Sequence, residues 1–439
     1  MALRLILGLL GMVGLGTLLL SLPGMTTQPL PLMDRLFTAT SAVTVTGLVV
    51  VTTSTAFTPL GQFVLMCLIQ LGGLGYVVLV VLAFRVMGRQ VPLAERMTLA
   101  SELGLAKTRS VVSILQRSLV LMLVIEAIGA GLLFIYWTLK GLPLEGRTLF
   151  YALFHAVAAF CNAGFDLFSG LPHEEAWTAM DIPTLLILGT IVILGGLGIP
   201  VFMDLTYRRG TRHRLSLHSR VTLAASLILI LAGMAAIWIA DYWLGGVLAN
   251  SPTAWRLTMA WFQSVVTRTA GFPGLISFVP LNPATILVLM GLMFIGSGPA
   301  SMGGGITTGT FSVLLLTMVS LARGRRTPYL GRRAISLQTV QRAMAVLVVA
   351  ASVVGITIWL LLLLEPFSTQ EVAFEVISAF STVGLSLGIT PQLSTAGRLI
   401  IMVTMIWGRL GAMTIVAALV QRRARADLVD YPEADLLVG

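Results

Sequence analysis

Charge is scarce in this sequence. Only 10% of its 439 residues are Asp, Glu, Lys or Arg, against 57% hydrophobic residues. A soluble domain carries roughly a quarter charged residues, so an ordinary water-soluble fold is excluded. Cysteine is nearly missing: Cys67 and Cys161 both lie in apolar surroundings, which reads as two small buried residues and supports no disulfide. The histidines, His155, His173, His213 and His218, show no metal-ligand spacing. No Walker-type phosphate loop occurs, so any nucleotide dependence must come from a partner. An intramembrane enzyme needs a nucleophile beside a base. Cys161 and His155 are the one conceivable pair, and six residues apart along one helix they do not share a face. The chain reads as a non-enzyme.

What is present is apolar length. Leu5 to Leu22, Ile114 to Thr138, Pro183 to Met203, Val221 to Trp243 and Met344 to Leu364 each approach or exceed the roughly 20 residues that span a bilayer as helix. The first lacks a small-residue cleavage site and reads as an anchor rather than a signal peptide. The net charge of +10 is not a nucleic-acid footprint, because of where it sits. Basic residues gather in three loops, Arg85 to Arg117, Arg208 to Arg220 and Arg323 to Arg342, and in the tail at Arg422, Arg423 and Arg425. Acids gather in the loops between: Glu145, Asp166, Glu174, Glu175, Asp181, Asp241, Glu365 and Glu371. This asymmetry predicts a multi-pass protein of the cell membrane, solvated by lipid, with basic loops and both termini cytoplasmic.

A pattern recurs four times along the chain. Each copy opens on an apolar stretch, passes a short amphiphilic segment closing on glycine, and ends in a glycine-rich stretch. The short segments close as Ser41-Ala-Val-Thr-Val-Thr-Gly47, Ala159-Phe-Cys-Asn-Ala-Gly164, Val266-Thr-Arg-Thr-Ala-Gly271 and Ala379-Phe-Ser-Thr-Val-Gly384. The later echoes are Leu71-Gly-Gly-Leu-Gly75, Leu194-Gly-Gly-Leu-Gly198, Gly296 to Gly303 and Gly408-Arg-Leu-Gly411. The predicted fold is an all-α membrane protein of four tandem helix–pore-loop–helix repeats. Eight spanning helices and four re-entrant pore helices surround a central pseudo-fourfold pore. The expected boundaries are 1–84, 111–206, 221–322 and 342–420 for the repeats, with cytoplasmic loops 85–110, 207–220 and 323–341 and a tail 421–439.

The amphiphilic segments, Leu32 to Thr44, Thr148 to Cys161, Ala254 to Val266 and Gln370 to Phe380, are too short for a core of about 30 Å. They read as re-entrant half-helices, whose loops are tolerated at membrane depth only against protein or water. A half-helix entering from outside points its partially negative C-terminus at the membrane middle, where it favours a cation. The loop beyond must turn carbonyl oxygens inward to replace an ion's hydration shell. The candidate filter is therefore Val45-Thr46-Gly47, Asn162-Ala163-Gly164, Thr269-Ala270-Gly271 and Thr382-Val383-Gly384. Thr44, Thr46, Asn162, Thr267, Thr269, Ser381 and Thr382 are the expected braces. No carboxylate ring appears at the constriction, so selection would rest on carbonyls, which suits a monovalent cation. Gly72, Gly73, Gly75, Gly195, Gly196 and Gly198 are expected to serve close helix packing instead.

These motifs, with Phe154-His-Ala-Val-Ala-Ala-Phe-Cys-Asn-Ala-Gly-Phe165 and Thr267-Arg-Thr-Ala-Gly-Phe272, resemble the Ktr/Trk/HKT potassium transporter superfamily, in particular its KtrB-type membrane subunits. The likeness runs through all four copies. It implies one filter glycine per repeat, and glycine rather than serine at position 47 implies potassium. It also implies a homodimer with one pore per subunit on a cytosolic KtrA-like ring that binds ATP or ADP. Potassium at the filter is the only metal expected, and no cofactor is expected in this chain. Sodium as a coupling or activating ion stays open, as does a sodium or unselective cation pathway on the same scaffold.

Membrane-competent sequence from Pro283 to Ser320 is interrupted by Gly296, Ser297, Gly298, Pro299, Ser301, Gly303, Gly304, Gly305, Thr307 and Thr308. Proline and dense glycine cannot sustain a helix, so this span has to break. It is the expected gate, an intramembrane loop that obstructs the pore, and the resemblance supports that reading. Arg409 falls inside the last span, where a cation is costly and faces a polar interior. It is expected to act as an electrostatic barrier beside the gate. Arg268 is expected to brace the third filter loop from behind. For Glu126, packing, a polar partner and a coupling-ion site all remain open.

Overall fold

The computed structural model describes residues 2–75, 111–170, 181–206, 215–243, 252–273, 281–325, 327–330 and 333–411. The expected cytoplasmic loop 85–110 and tail 421–439 lie outside these residues. The described elements are helical apart from a two-residue-strand hairpin, β1 Tyr329–Leu330 against β2 Arg333–Ala334, paired Tyr329 to Ala334 and Leu330 to Arg333.

The order of apolar helix, short helix and capped helix occurs four times. Unit one comprises α1 (Ala2–Leu20), α2 (Leu32–Val43), the single turn α3 (Thr53–Ala56) and α4 (Pro59–Leu74). Unit two comprises α5 (Val111–Leu139), α6 (Gly146–Phe160), α7 (Ile182–Leu197) and α8 (Ile199–Thr206). Unit three comprises α9 (Leu217–Trp243), α10 (Thr253–Thr269), α11 (Pro283–Phe294) and α12 (Thr308–Ala322). Unit four comprises α13 (Leu337–Leu364), α14 (Thr369–Phe380), a 3-10 turn (Thr390–Gln392) and α15 (Thr395–Leu410).

Local chemistry explains the boundaries. Thr58, Asp181, Asn282 and Ser394 cap α4, α7, α11 and α15 through their side chains, and the first three are followed by proline in the first turn. That proline is pre-set for helix and wastes no donor there. Ser368 and Glu371 form a reciprocal capping box at the start of α14. The ends of α4, α7 and α15 share one device: Gly75, Gly198 and Gly411 sit at φ 77°, 85° and 79° with ψ near 150°, a region open only to glycine.

Three straight helices among the described residues are long and apolar enough to cross a bilayer: Gln116–Leu139, Leu217–Ala240 and Leu337–Leu364. The apolar stretch Pro183 to Met203, read from sequence as one span, is instead broken at Gly198, where α7 and α8 meet at 96°. The apolar faces are partly inverted relative to a soluble protein. Leu123, Val124, Ile128, Leu132 and Ile135 of α5 are exposed, while the C-terminal halves of the four short helices are buried. Lipid tails solvate the first set, so burial is reserved for the centre.

The last unit closes on the first. Arg398 Nη1 of α15 pairs with Asp34 Oδ1 of α2 at 2.6 Å, both side chains less than a fifth exposed, and Arg398 Nη2 donates to the Pro391 carbonyl at 2.7 Å. Arg398→Ala is expected to cost about 1.5–3 kcal/mol, the scale of a hydrogen bond to a charged partner. The check is the denaturant midpoint of the detergent-solubilised protein. An unchanged midpoint would mean that this seam contributes nothing.

Candidate ion pathway

The four short helices deliver four loops to one place. A Cβ built on Gly47 would collide with the Ala163 carbonyl, one on Gly164 with Ala270, one on Gly271 with Val383 and one on Gly384 with Thr46. Every glycine thus abuts the carbonyl that precedes the next unit's glycine, and the fourth returns to the first. All four glycines have positive φ (88°, 66°, 58° and 94°). Close approach and backbone conformation both demand glycine.

The loops leave their helices by a shared route. The N–H groups of Thr46, Ala163 and Val383 donate five residues back, to Ser41, Ala158 and Ser378 carbonyls at 2.8, 2.8 and 2.9 Å. The residue between, Val45, Asn162 or Thr382, takes the left-handed conformation at φ 57°, 58° or 49°. This is the six-to-one closure of a helix C-terminus, but on side chains that resist it. Left-handed valine and threonine carry strain of order 1 kcal/mol each, which persists only where the surroundings impose it. Loop three departs. α10 continues through Thr269, and the five-residue bond is made one position later, from Gly271 N–H to Val266 at 2.9 Å. Thr269 is therefore helical, not part of the loop as the sequence implied.

The braces differ in part from expectation. The amide N–H of Gly47 donates to Ser41 Oγ and that of Gly384 to Ser378 Oγ, each at 3.0 Å. Neither serine was singled out from the sequence, although a serine six residues before the glycine in both units was the available signal. Thr44 and Thr46 hydroxyls share a 2.8 Å bond. The Asn162 amide, oriented by its neighbours, donates to the Ala159 and Val192 carbonyls at 3.1 and 3.2 Å. Thr267 accepts from Gln263 within α10. Ser381 Oγ is buried without a partner, so this residue packs rather than braces. Gly72 and Gly195 press against the last carbonyl of the adjoining short helix, Val43 and Phe160, as Gly408 does on Phe380. These are packing glycines.

In unit three, α11 stops at Phe294 and helix resumes at Thr308, capped by Thr307. Between them the chain folds back through Gly296 N–H to Ile306 and Thr308 N–H to Ser297, both 2.9 Å. Neighbours hold this segment on several sides. Gly298 N–H donates to Gly196 at 2.9 Å, and Ala300 accepts from Ile199 N–H of α8 at 3.1 Å. The Ser297 and Ser301 hydroxyls bond each other. Gly303 and Gly304 lie against Thr269 and Thr382, leaving no room for a Cβ. Gly304 N–H donates to Thr382 Oγ1 at 2.9 Å, and Gly305 packs on Ser381. A Cβ on Gly309 would lie 2.9 Å from Pro299 Cγ, so the proline ring packs closely on this glycine.

Two arginines meet the segment. Arg268, 6% exposed, donates from Nη2 to the Gly296 carbonyl at 3.1 Å, so it reaches the broken helix rather than its own loop. Arg409 donates from Nη1 to the Met302 carbonyl and from Nη2 to the Gly72 carbonyl, with Gly73 at 3.1 Å. It bridges the segment to the end of α4. Nearby, Glu126 of α5 accepts from Gln70 Nε2 at 3.1 and 3.0 Å, which realises the polar-partner reading for that residue.

The family described as TrkH, cation transport protein, matches residues 14–425. The Ktr system potassium uptake protein B of Bacillus subtilis is 36% identical over 97% of this chain and 94% of its own length. Its namesake from Vibrio alginolyticus is 35% identical over 99% and 94%. The potassium/sodium uptake protein NtpJ of Enterococcus hirae is 34% identical over 93% and 90%. The crystal structure of the potassium transporter TrkH from Vibrio parahaemolyticus shares the fold, with TM-score 0.75 at 17% identity over 95% of this chain and 84% of that one. These relatives are transporters, not enzymes. The chain belongs to the TrkH cation-transport family, as a KtrB-type member of the Ktr/Trk superfamily.

Proposed function

We propose that this protein takes up potassium through a pore on the axis of the four glycine loops. The closed circle of glycine-to-carbonyl approaches carries this reading. It implies four tandem repeats, eight spans and four re-entrant helices around one pseudo-fourfold path. The N–H groups of Thr46, Ala163, Gly271 and Val383 are spent on helix-end carbonyls and those of Gly47 and Gly384 on serine hydroxyls, which leaves carbonyl oxygens to replace the ion's hydration shell. Four helix C-termini add negative potential at the same point. Inward movement is driven by the membrane potential, about 2.3 kcal/mol per 100 mV for each charge.

The segment Gly296 to Thr307 is the gate, and Arg409 is its latch as well as a positive charge beside the path. Opening must break the Arg409 bonds, the Arg268 bond to Gly296 and the Gly304 bond to Thr382. By the charge placement, the basic loops and both termini are cytoplasmic. A homodimer over a nucleotide-binding KtrA-like ring, loaded with ATP or ADP, would act on the gate from that side. The Enterococcus relative, a potassium/sodium uptake protein, favours one alternative, passage of sodium as well.

Rubidium uptake into liposomes holding the purified chain, with sodium as competitor, tests the proposal. Expected is uptake that sodium suppresses only at large excess. Equal competition would establish the unselective alternative, and no uptake would overturn the reading.

A further inference from the structure

Nine residues before the loop glycine, the four short helices carry Thr38, His155, Phe262 and Glu375. Two of these make no polar contact beyond their own helix. The Thr38 hydroxyl donates to the Asp34 carbonyl of its own helix at 2.8 Å, and Phe262 has no polar atom to offer. The other two reach off the helix, to the chain just past the glycine.

His155, 1% exposed, lies with Nδ1 2.7 Å from the Tyr151 carbonyl. A carbonyl only accepts, so Nδ1 carries the proton and Nε2 is left as acceptor. It accepts the Leu167 N–H at 3.3 Å, three residues past Gly164. The ring also stacks on Phe168 at 4.7 Å between centroids and faces Phe272, directly after Gly271, at 6.4 Å. Glu375 is fully buried and divides its oxygens. Oε2 accepts from Ser386 Oγ at 2.7 Å, two residues past Gly384, and Oε1 from Thr390 Oγ1 at 2.5 Å.

Packing does not explain this chemistry. Phe262 shows that an apolar side chain fills the position, and burying a carboxyl or an imidazole costs more than burying a hydrocarbon. The polar groups are placed where they have chain to hold. In the circle of loops, units two and four stand opposite each other.

We infer that His155 and Glu375 are a diagonal pair of positioning residues that hold the chain beyond the filter glycine from behind and so set which monovalent cation the pore accepts. The inference rests on the filter reading above. Carbonyl oxygens that cannot follow a smaller ion inward leave it undercoordinated once its water is shed, which penalises sodium against potassium. Two anchored loops on one diagonal keep the ring open across its width.

The test uses the full chain in liposomes, reading the rubidium KM and the sodium concentration that halves uptake. His155→Leu and Ser386→Ala are each expected to strengthen sodium competition about fivefold, the loss of one ordinary hydrogen bond. Glu375→Gln keeps an acceptor oxygen and the side-chain shape, and is expected to stay nearer the unaltered protein than Glu375→Ala. Phe262→Leu is the control and leaves the ratio alone. Ser386→Ala keeps the buried carboxyl in place, so the test survives even where Glu375→Ala does not fold. If His155→Leu and Ser386→Ala change only the maximal rate, with KM and sodium competition unaltered, the anchors are structural and the inference falls. Absence of uptake by the unaltered protein would count against the filter reading and this inference together. Normal sodium competition in the variants counts against the anchors alone.

Discussion

Replacing Gly271 with serine is expected to abolish the preference for potassium over sodium, a loss of tenfold or more, equivalent to about 1.4 kcal/mol. The reason is local and double. Gly271 has φ 58°, which L side chains adopt at a cost, and its Cβ would be driven into the Val383 carbonyl of the next loop. A backbone carbonyl cannot swing aside as a flexible side-chain tip can. Two loops are therefore displaced by one substitution, and the displaced group is itself a proposed ion ligand. The same holds in turn for Gly47, Gly164 and Gly384. Gly355, in the middle of α13, has nothing within 4 Å of the added carbon. Gly355→Ala is expected to be silent or slightly stabilising, since alanine is the better helix former. Rubidium flux against sodium in liposomes measures all five. Unaltered selectivity in all four loop variants would remove the filter from these residues.

Arg409→Ala is expected to raise uptake about tenfold at equal protein in the membrane, with selectivity retained. Three backbone carbonyls from two units, Met302, Gly72 and Gly73, converge on this one guanidinium. Removing it leaves the segment tied by neutral bonds and by Arg268 alone. One lost interaction of roughly 1.4 kcal/mol shifts a closed-to-open equilibrium tenfold. Arg409→Lys separates a latch from a pure electrostatic barrier. A lysine keeps the charge but lacks the planar fork that spans two chain segments. A latch predicts that Lys behaves much like Ala, and a barrier predicts that Lys restores the low flux. Flux that stays at the unaltered level in both variants would sink both roles.

Much of this architecture was legible in the chain. The four glycine-closed segments, Leu32 to Thr44 among them, are short helices in the structure, because their length and amphiphilicity leave few other solutions in lipid. The break in Pro283 to Ser320 fell where glycine and proline density required it. Other features were not legible. Pattern alone gave no sign that Pro183 to Met203 would bend by 96° at Gly198, since a glycine inside an apolar run packs a straight helix equally well. Nor could spacing distinguish loop three, where helix continues through Thr269, from the three loops that turn two residues before the glycine.

The sequence by itself determined that the protein lives in a membrane, carries four short helical segments that each close on glycine, and breaks its helix between Phe294 and Thr308. Those properties follow from hydropathy, periodicity and local backbone preference, which act over a few residues. Only the tertiary structure decided what the buried polar groups hold. Arg268 and Arg409 grip the broken helix rather than their own surroundings, and Ser41, Ser378, His155 and Glu375 tie down loops. A buried donor takes whichever acceptor the fold brings within 3 Å. For Arg409 that is Gly72, more than three hundred residues away in the chain.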